Sequence, residues 1–301
     1  MNTIFKTQLK NANIKLKEHY NNDELIKQCR IYAREKINNA IKKDGSLDWS
    51  KLPKLLNSNP KLEKSGKYDV LTKGLALAPS FISGFNTCNF ASIGCGKGCL
   101  NFSGHGQEHM LCNGKHNVLI ARITRTILYY EYRNEFLIRL HKEIKTFSNY
   151  VNNKNIKEDT DLICGIRLNV LSDILFEKID ITLFTNNPEI TFYDYTKNPN
   201  RNVSHIKNYS LTFSRNEMND LYIEQAFNNN MNVAIVLDIK KGFTLPKTFR
   251  NKPILDGDLH DARFLDIKNH YVGLRKKGFK IDTSGFVINV KDWFEPTRIA
   301  S

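Results

Sequence analysis

The sequence has no uninterrupted apolar run near the ~20 residues that a membrane-spanning helix needs, and its first thirty residues lack the apolar core of a secretory signal. We therefore expect a cytoplasmic protein without a membrane partner. The phosphate-binding pattern G-x4-G-K-[ST] and a strand-borne G-x-G-x-x-G are both absent, which excludes two nucleotide-binding loops. No His-x-His pair is present either, which argues against a rolling-circle nickase.

Cysteine is scarce, with six residues in a chain of 301, yet four of the six fall between positions 88 and 112. In a reducing compartment such clustering indicates metal binding rather than disulfide cross-links. The other two, Cys29 and Cys164, lie in apolar helical or strand patterns. We expect these two to be buried as small hydrophobic side chains.

The segment TCNFASIGCGKGCLNFSGHG (87–106) carries the chemistry, and we predict that Cys88, Cys95 and Cys99 bind a metal centre. If the metal is zinc, a fourth ligand should close a tetrahedron, with Cys112 the first candidate and His105 and His109 weaker ones. If it is a [4Fe–4S] cluster, three cysteines suffice and one iron stays open for a substrate or S-adenosylmethionine. The spacing matches neither the C-x3-C-x2-C loop of radical S-adenosylmethionine enzymes nor paired C-x2-C zinc knuckles.

Glycine surrounds these cysteines. We predict that Gly94, Gly96 and Gly98 adopt backbone conformations closed to other residues and let peptide N–H groups approach the sulfur atoms of a cluster.

Positive charge is concentrated at the front of the chain. Residues 1–75 contain sixteen Lys and Arg against eight Asp and Glu, a net +8 out of +14 for the whole protein. One interpretation is that this front binds nucleic acid through phosphate neutralisation, and the other is that the lysines only promote solubility. The arginines of the helix predicted over 117–147, of which Arg122 is the first, allow the same two interpretations.

The order of apolar patterns predicts an α/β protein with a partial or irregular (β/α) TIM-like barrel and a helical N-terminal extension. Residues 1–69 should form the basic helical extension and residues 70–301 the barrel-like domain. An amphipathic helix is predicted from residue 24, and a long helix without Gly or Pro over 117–147. Strands are predicted at 162–170, 189–196, 209–214, 233–239, 271–274 and 285–290, with helical patterns near 174–186 and 219–229.

In a parallel α/β barrel, functional groups gather where the strands end. This rule predicts a polar pocket for a cofactor that is lined by Asn169, Asp173, Lys197, Ser214 and Arg215.

The acidic segment ILDGDLHDARFLD (254–266) supplies the candidate catalytic residues, Asp258, His260 and Asp261. Alternating carboxylates can bind Mg²⁺ or Ca²⁺, and a histidine can act as a general base near neutral pH. The alternative is an acidic turn whose carboxylates cap backbone amides while Arg263 pairs with one of them.

Five blocks, in this order and spacing, resemble the gene product 88 family of phage proteins: LAPS…TCNFASIGCGKGCLNFSG, IRLNVLSDI, NPEITFYDYTKNPNR, YSLTFSRNE and PILDGDLHDARFLD…YVGLRKKG. The resemblance covers about residues 70–295. It implies a radical-enzyme-like barrel with a cysteine-bound centre in a protein of phage or prophage origin, and no known reaction. Two differences stand in the cysteine loop, where the first gap is one residue longer and Leu100-Asn101 replace Tyr-Ala.

Two functional hypotheses follow. In the first, the protein is an iron–sulfur enzyme similar to radical S-adenosylmethionine proteins, with the cysteines on the cluster and the strand-end residues around the cofactor. In the second, it is a zinc-stabilised protein without catalytic activity that binds nucleic acid through its basic front and helix 117–147.

Overall fold

The computed structural model of the protein describes residues 1–102, 116–277 and 282–299, and its centre is a sheet of ten strands. The strands are β1 (Leu56–Asn57), β2 (Val70–Leu75), β3 (Ile163–Arg167), β4 (Thr191–Thr196), β5 (Tyr209–Ser214), β6 (Asn232–Leu237), β7 (Thr248–Phe249), β8 (Lys252–Asp256), β9 (Tyr271–Arg275) and β10 (Val287–Ile288). All six predicted strands are present; the ends of β5 agree with the prediction, and those of the other five are shifted. Strands β1, β2, β7 and β8 were not predicted.

The strand order is β1-β2-β3-β4-β5-β6-β9-β8-β7. Strands β2 to β6, β9 and β8 run parallel, whereas β1 and β7 pair antiparallel at the two edges. Strand β10 pairs with Val236 and Leu237 of β6, past the residues that β5 occupies. The parallel strands and the helices that connect them confirm the α/β class. In the described part of the chain β1 and β7 do not pair with each other, so the sheet is not a closed barrel.

Helices fill the connections between the strands. They are α1 (Thr3–Asn22), α2 (Glu24–Asn38), α3 (Pro60–Glu63), α4 (Ile93–Lys97), α5 (Asn117–Glu131), α6 (Arg133–Glu158), α7 (Phe176–Ile179), α8 (Thr182–Thr185) and α9 (Ile223–Asn228). They cover strands whose side chains are buried almost without interruption, as in β6, which is typical of parallel sheets with both faces covered.

The prediction of one helix over 117–147 is wrong in two respects. Two helices, α5 and α6, meet at Tyr132, which has φ −126° and ψ 48°, and α6 continues to Glu158. No Gly or Pro causes the break. The Arg133 Nε donates to the carbonyl of Tyr129 at 2.9 Å, which is the acceptor that the Arg133 backbone N–H would use in a continuous helix. The side chain thus takes the place of one helical hydrogen bond.

The basic front is packed onto the rest of the protein. Helix α1 begins after Asn2 and α2 after Asp23, whose side chains accept backbone N–H groups of the first turns. Helix α2 packs on α5, and α1 packs on α4 in the cysteine loop. The lysines of α1 remain exposed. That they bind nucleic acid stays a prediction.

The segment just before β2 contacts the loop that follows β8. Lys64 Nζ donates to the Asp258 carbonyl at 2.7 Å, and Lys61 Nζ lies 2.9 Å from the Asp261 carboxylate. The segment before β2 and the loop after β8 therefore meet, although β2 and β8 are the two outermost parallel strands of the sheet. Among residues 1–102, 116–277 and 282–299, no helix is long and apolar enough to cross a membrane.

Candidate metal centre

A cavity of about 210 Å³ lies at the carboxyl ends of the parallel strands. Residues from β3 to β6, from β9 and β10, and from the loop after β2 line it. Cys88, Cys95 and Cys99 all contribute to its wall. The polar groups were expected to gather at the carboxyl ends of the strands, and the three cysteines meet at the same ends.

The three cysteines reach this cavity from one short loop. Cys88 precedes α4, and its thiol donates to the Leu171 carbonyl at 3.4 Å. Cys95 lies within α4, where its N–H donates to the capping side chain of Ser92. Cys99 comes just after α4. All three are half-buried and free of disulfides.

The thiols lie close enough together to affect one another. Burial and, to a smaller extent, the charges of the neighbouring cysteines raise the pKa of Cys88 to about 12 and that of Cys99 to about 11. Burial also raises the pKa of Cys95, while the charge of Lys197 opposes the shift. The site therefore holds three thiols that a positive centre would convert into thiolates.

Lys197 is the cation beside the thiols. Burial acts against its charge, but Cys95 and Asp173 outweigh burial and raise the pKa of the Lys197 amine. Its Nζ donates to Ser214 Oγ at 2.8 Å. Three of the predicted pocket residues, Asp173, Lys197 and Ser214, thus lie together on the cavity.

Asp173 fixes the loop around this cation. Its carboxylate accepts the Lys197 N–H at 2.8 Å and the Arg201 Nη1 at 3.0 Å. Its own N–H donates to the carbonyl of Thr87, the residue before Cys88. Asp173 therefore connects the cysteine loop to the end of β4.

Glu217 positions α4, and sequence reasoning missed it. Its two carboxylate oxygens accept Ser92 Oγ at 2.7 Å and the Gly94 N–H at 2.9 Å. The two residues lie more than 120 positions before Glu217 in the chain, so only folding brings them together. A lone acidic residue after β5 carries no signal that would reveal this.

The predicted role of the loop glycines is only partly right. Gly94, Gly96 and Gly98 do not have positive φ values, so no unusual backbone conformation explains them. Instead a Cβ at Gly96 would lie 2.4 Å from Leu16 Cδ2 on α1, and one at Gly94 would lie 2.1 Å from Ser284 Oγ. These glycines leave room for neighbouring elements that cover the loop.

Two of the predicted pocket residues have mainly structural contacts. Asn169 lines the cavity, but its side-chain amide is engaged with Ser172, Ile174 and Asp194, so it shapes the turn after β3. Arg215 points elsewhere, to Asp220 and to the carbonyls of residues 285 and 286. Its assignment to the cofactor pocket finds no support in these contacts.

The three predicted catalytic residues are spread over different environments. Asp258 lines the cavity and accepts the Arg275 guanidinium at 3.1 Å. Asp261 is fully buried, and His260 packs against the Tyr68 ring with centroids 4.5 Å apart. Their role in catalysis stays a prediction, and Asp258 alone of the three contributes to the cavity wall.

Asp261 is the anchor of a charge cluster. It lies 2.9 Å from Lys61 Nζ and 3.0 Å from Arg167 Nη1, and the Tyr193 hydroxyl donates to it at 3.3 Å. Arg167 and Lys61 hold the pKa of the Asp261 carboxyl far below its usual range, although burial acts in the opposite direction. This carboxylate is thus fully used in ion pairs with residues of other segments, whereas Arg263, the partner that the acidic-turn alternative named, pairs with Asp266 at 3.2 Å.

Among the described residues, no three His, Cys, Asp or Glu side chains are placed as ligands of one metal ion. The acidic segment likewise holds no such group of three. The candidate fourth ligands Cys112, His105 and His109 lie outside the described residues. Cys29 and Cys164 are buried, as expected for structural cysteines.

Comparison with known proteins gives one match. No curated protein and no solved structure matches the chain. The family model described as gene product 88 matches residues 50–290, which include the cysteine loop, every parallel strand and the acidic segment. The chain therefore belongs to the gene product 88 family.

Proposed function

We propose that this protein is an iron–sulfur enzyme, in which Cys88, Cys95 and Cys99 hold a [4Fe–4S] cluster next to a pocket for a small polar molecule. The observation that carries the proposal is that three thiols from one loop line the same cavity as Lys197 and Ser214. Cysteines that bind a cluster each bind a different iron, so their sulfur atoms need to face one cavity rather than one point.

The residues around the cysteines fit such a group. A cluster with three thiolates carries negative charge, and Lys197 and Arg122 are cations whose charges act on Cys95 and Cys99. Arg122 donates a 2.8 Å hydrogen bond to Asn101, which lies in the loop two residues after Cys99. The donor set therefore combines soft ligands with compensating charge, as iron–sulfur sites require.

The position of the cavity supports an enzyme. In α/β proteins with parallel strands, ligands bind outside the carboxyl ends of the strands. A cluster held by three cysteines keeps one iron open to a ligand, and S-adenosylmethionine is the cofactor that we propose for it. Lys197, Ser214 and Asp173 would orient that cofactor, and the half-buried walls would exclude water from it.

We infer that the sheet curls as a partial (β/α) barrel around this cavity. Strands β3 and β8 are five steps apart in the strand order, which is roughly 24 Å in a flat sheet. Nevertheless Arg167 at the end of β3 bonds to Asp261, five residues after β8, at 3.0 Å. Curling is the simplest arrangement that brings both ends to one cavity.

The test is to purify the full chain without oxygen and to measure iron, acid-labile sulfide and the visible spectrum. We expect a brown protein with about four irons, and near-complete loss of iron in Cys88→Ala, Cys95→Ala and Cys99→Ala. Cys164→Ala is the matched control, because it removes a buried thiol away from the cavity, and it should keep its iron. A colourless protein with one zinc would overturn the proposal.

A second measurement addresses the cofactor. S-adenosylmethionine added to the reduced, iron-loaded protein should bind, and Lys197→Met should weaken the binding by about tenfold or more, since a charge-assisted contact is lost. If the iron-loaded protein does not bind it, the cofactor assignment fails while the cluster assignment stands.

A further inference from the structure

The wall of the cavity is strongly cationic. Within the described part of the chain, it includes six Lys and Arg residues, against two Asp residues. With the thiols protonated, the excess is four positive charges. A cavity that focuses one sign of charge attracts ligands of the opposite sign.

Two of these six cations have their own carboxylates. Arg275 pairs with Asp256 at 2.9 Å and with Asp258 at 3.1 Å, and Lys276 pairs with Asp238. Their charges are therefore locally balanced and serve to fix the strand ends.

Lys61 and Arg167 are different, because they share one carboxylate. Both lie within about 3 Å of Asp261, which leaves one positive charge in excess at a site where Arg167 is 5% exposed. Among the described residues, the Lys61 ammonium contacts only Asp261 and the face of the Tyr195 ring, 5.2 Å from its centroid. An ammonium group has three protons to donate, so Lys61 has donors left for a ligand.

The surroundings of Lys61 make the excess charge costly. Burial lowers the pKa of the Lys61 amine, Asp261 opposes the shift, and Arg167 adds to it. The Arg167 side chain is 6% exposed and that of Lys61 is 25% exposed, so an incoming anion that balanced their excess charge would bind favourably. Tyr195 and Arg167 also carry buried polar atoms, the hydroxyl and Nε, without a hydrogen-bond partner among the described residues.

We propose that Lys61, supported by Arg167 and Tyr195, forms an anion subsite that binds a carboxylate or phosphate group of the substrate. The inference rests on the proposed function only in calling this ligand a substrate. Lys61 comes from α3, before β2, whereas the cysteine loop follows β2. The two sites therefore lie on one cavity but are built from different segments, and a substrate would extend from the anion subsite toward the cysteines.

The experiment titrates the full chain with inorganic phosphate and, separately, with malonate, by calorimetry, and repeats both titrations after iron chelation. We expect binding of one or both anions, and Lys61→Met should weaken it by about tenfold to a hundredfold. Lys61→Arg, which restores the charge, should recover most of the affinity. The anion that binds more tightly identifies the substrate as a phosphate ester or a carboxylic acid.

Lys67→Met is the matched control, because it removes the same charge from an exposed position in the same segment. It should bind as the natural protein does. Equal affinities for natural protein and Lys61→Met, or equal losses in both methionine variants, would overturn the inference. Anion binding by protein that never holds iron would leave the subsite intact while the proposed function fails, so the two outcomes can be told apart.

Discussion

The cysteine loop (residues 87–102) and the acidic segment (254–266) are both dense in metal-ligand residues, but the fold uses them in opposite ways. Carboxylates of the acidic segment face guanidinium and ammonium groups, with Asp256 and Asp258 on Arg275 and Asp261 on Lys61 and Arg167. The three thiols instead line a cavity, where Cys95 lies beside the Lys197 ammonium. The difference teaches that ligand-type residues indicate a binding site only where the rest of the fold leaves them available.

The largest effect should come from Asp261→Asn. Because this change leaves the buried Arg167 and the partly exposed Lys61 without a carboxylate, we expect the free energy of unfolding to fall by about 3–5 kcal/mol. Chemical denaturation of the full chain measures it. Asp258→Asn is the control, since Arg275 keeps Asp256, and it should cost about 1 kcal/mol or less. An unchanged stability in Asp261→Asn would mean that the acidic segment is not structural.

Asp266, at the end of the same segment, should make stability depend on pH. Burial raises its pKa from 3.8 to about 6, against the opposing charge of Arg263. Between these values the folded state binds more protons than the unfolded state, so this contribution to stability is complete below pH 3.8 and is lost as the pH rises through 6. Asp266→Asn removes the effect, so between pH 4 and 7 the variant should lose about 2 kcal/mol less of its free energy of unfolding than the natural protein.

Denaturation curves of both proteins at several pH values test this prediction. Below pH 4 the free energies of unfolding of the two proteins should change with pH in parallel, which serves as the internal control. If the free energy of unfolding changed equally with pH in both proteins between pH 4 and 7, this would contradict the raised pKa of a buried Asp266.

The smallest effect concerns the packing of the cysteine loop. Gly96→Ala places a methyl group 2.4 Å from Leu16 Cδ2, so we expect a loss of about 1–3 kcal/mol in stability. Leu16→Ala in the same chain makes room for that methyl group, and the double variant should be less unstable than the sum of the two single changes. Additive losses would show that α1 does not press on the loop as described.

Much of the sheet was predictable because β-branched and aromatic runs mark buried parallel strands, as in Tyr209–Ser214, whose predicted and observed ends agree. Strand β8 escaped prediction since its sequence KPILD contains a proline, and β2 since VLTKGL contains a lysine and a glycine. The break at Tyr132 depends on the side chain of Arg133, which no helical periodicity reports.

At the site, the rule that polar residues follow parallel strands pointed to Asn169, Asp173, Lys197 and Ser214, which line one cavity, and that they bind a cofactor stays a prediction. It could not find Lys61 or Glu217, because these lie in a connector and a loop whose sequences look like ordinary surface. Their importance comes from partners that are about 200 and 120 residues away in the chain.

The sequence by itself determined the α/β class, the clustering of thiols in one loop and the family to which the chain belongs, because these depend on local composition and on the order of short blocks. The tertiary structure alone decided which charges are balanced. Pairing of Asp261 with Lys61 and Arg167, and the cationic excess that remains beside the cysteines, arise from contacts between distant segments. Electrostatic energy depends on distance in space, which the order of residues along the chain does not specify.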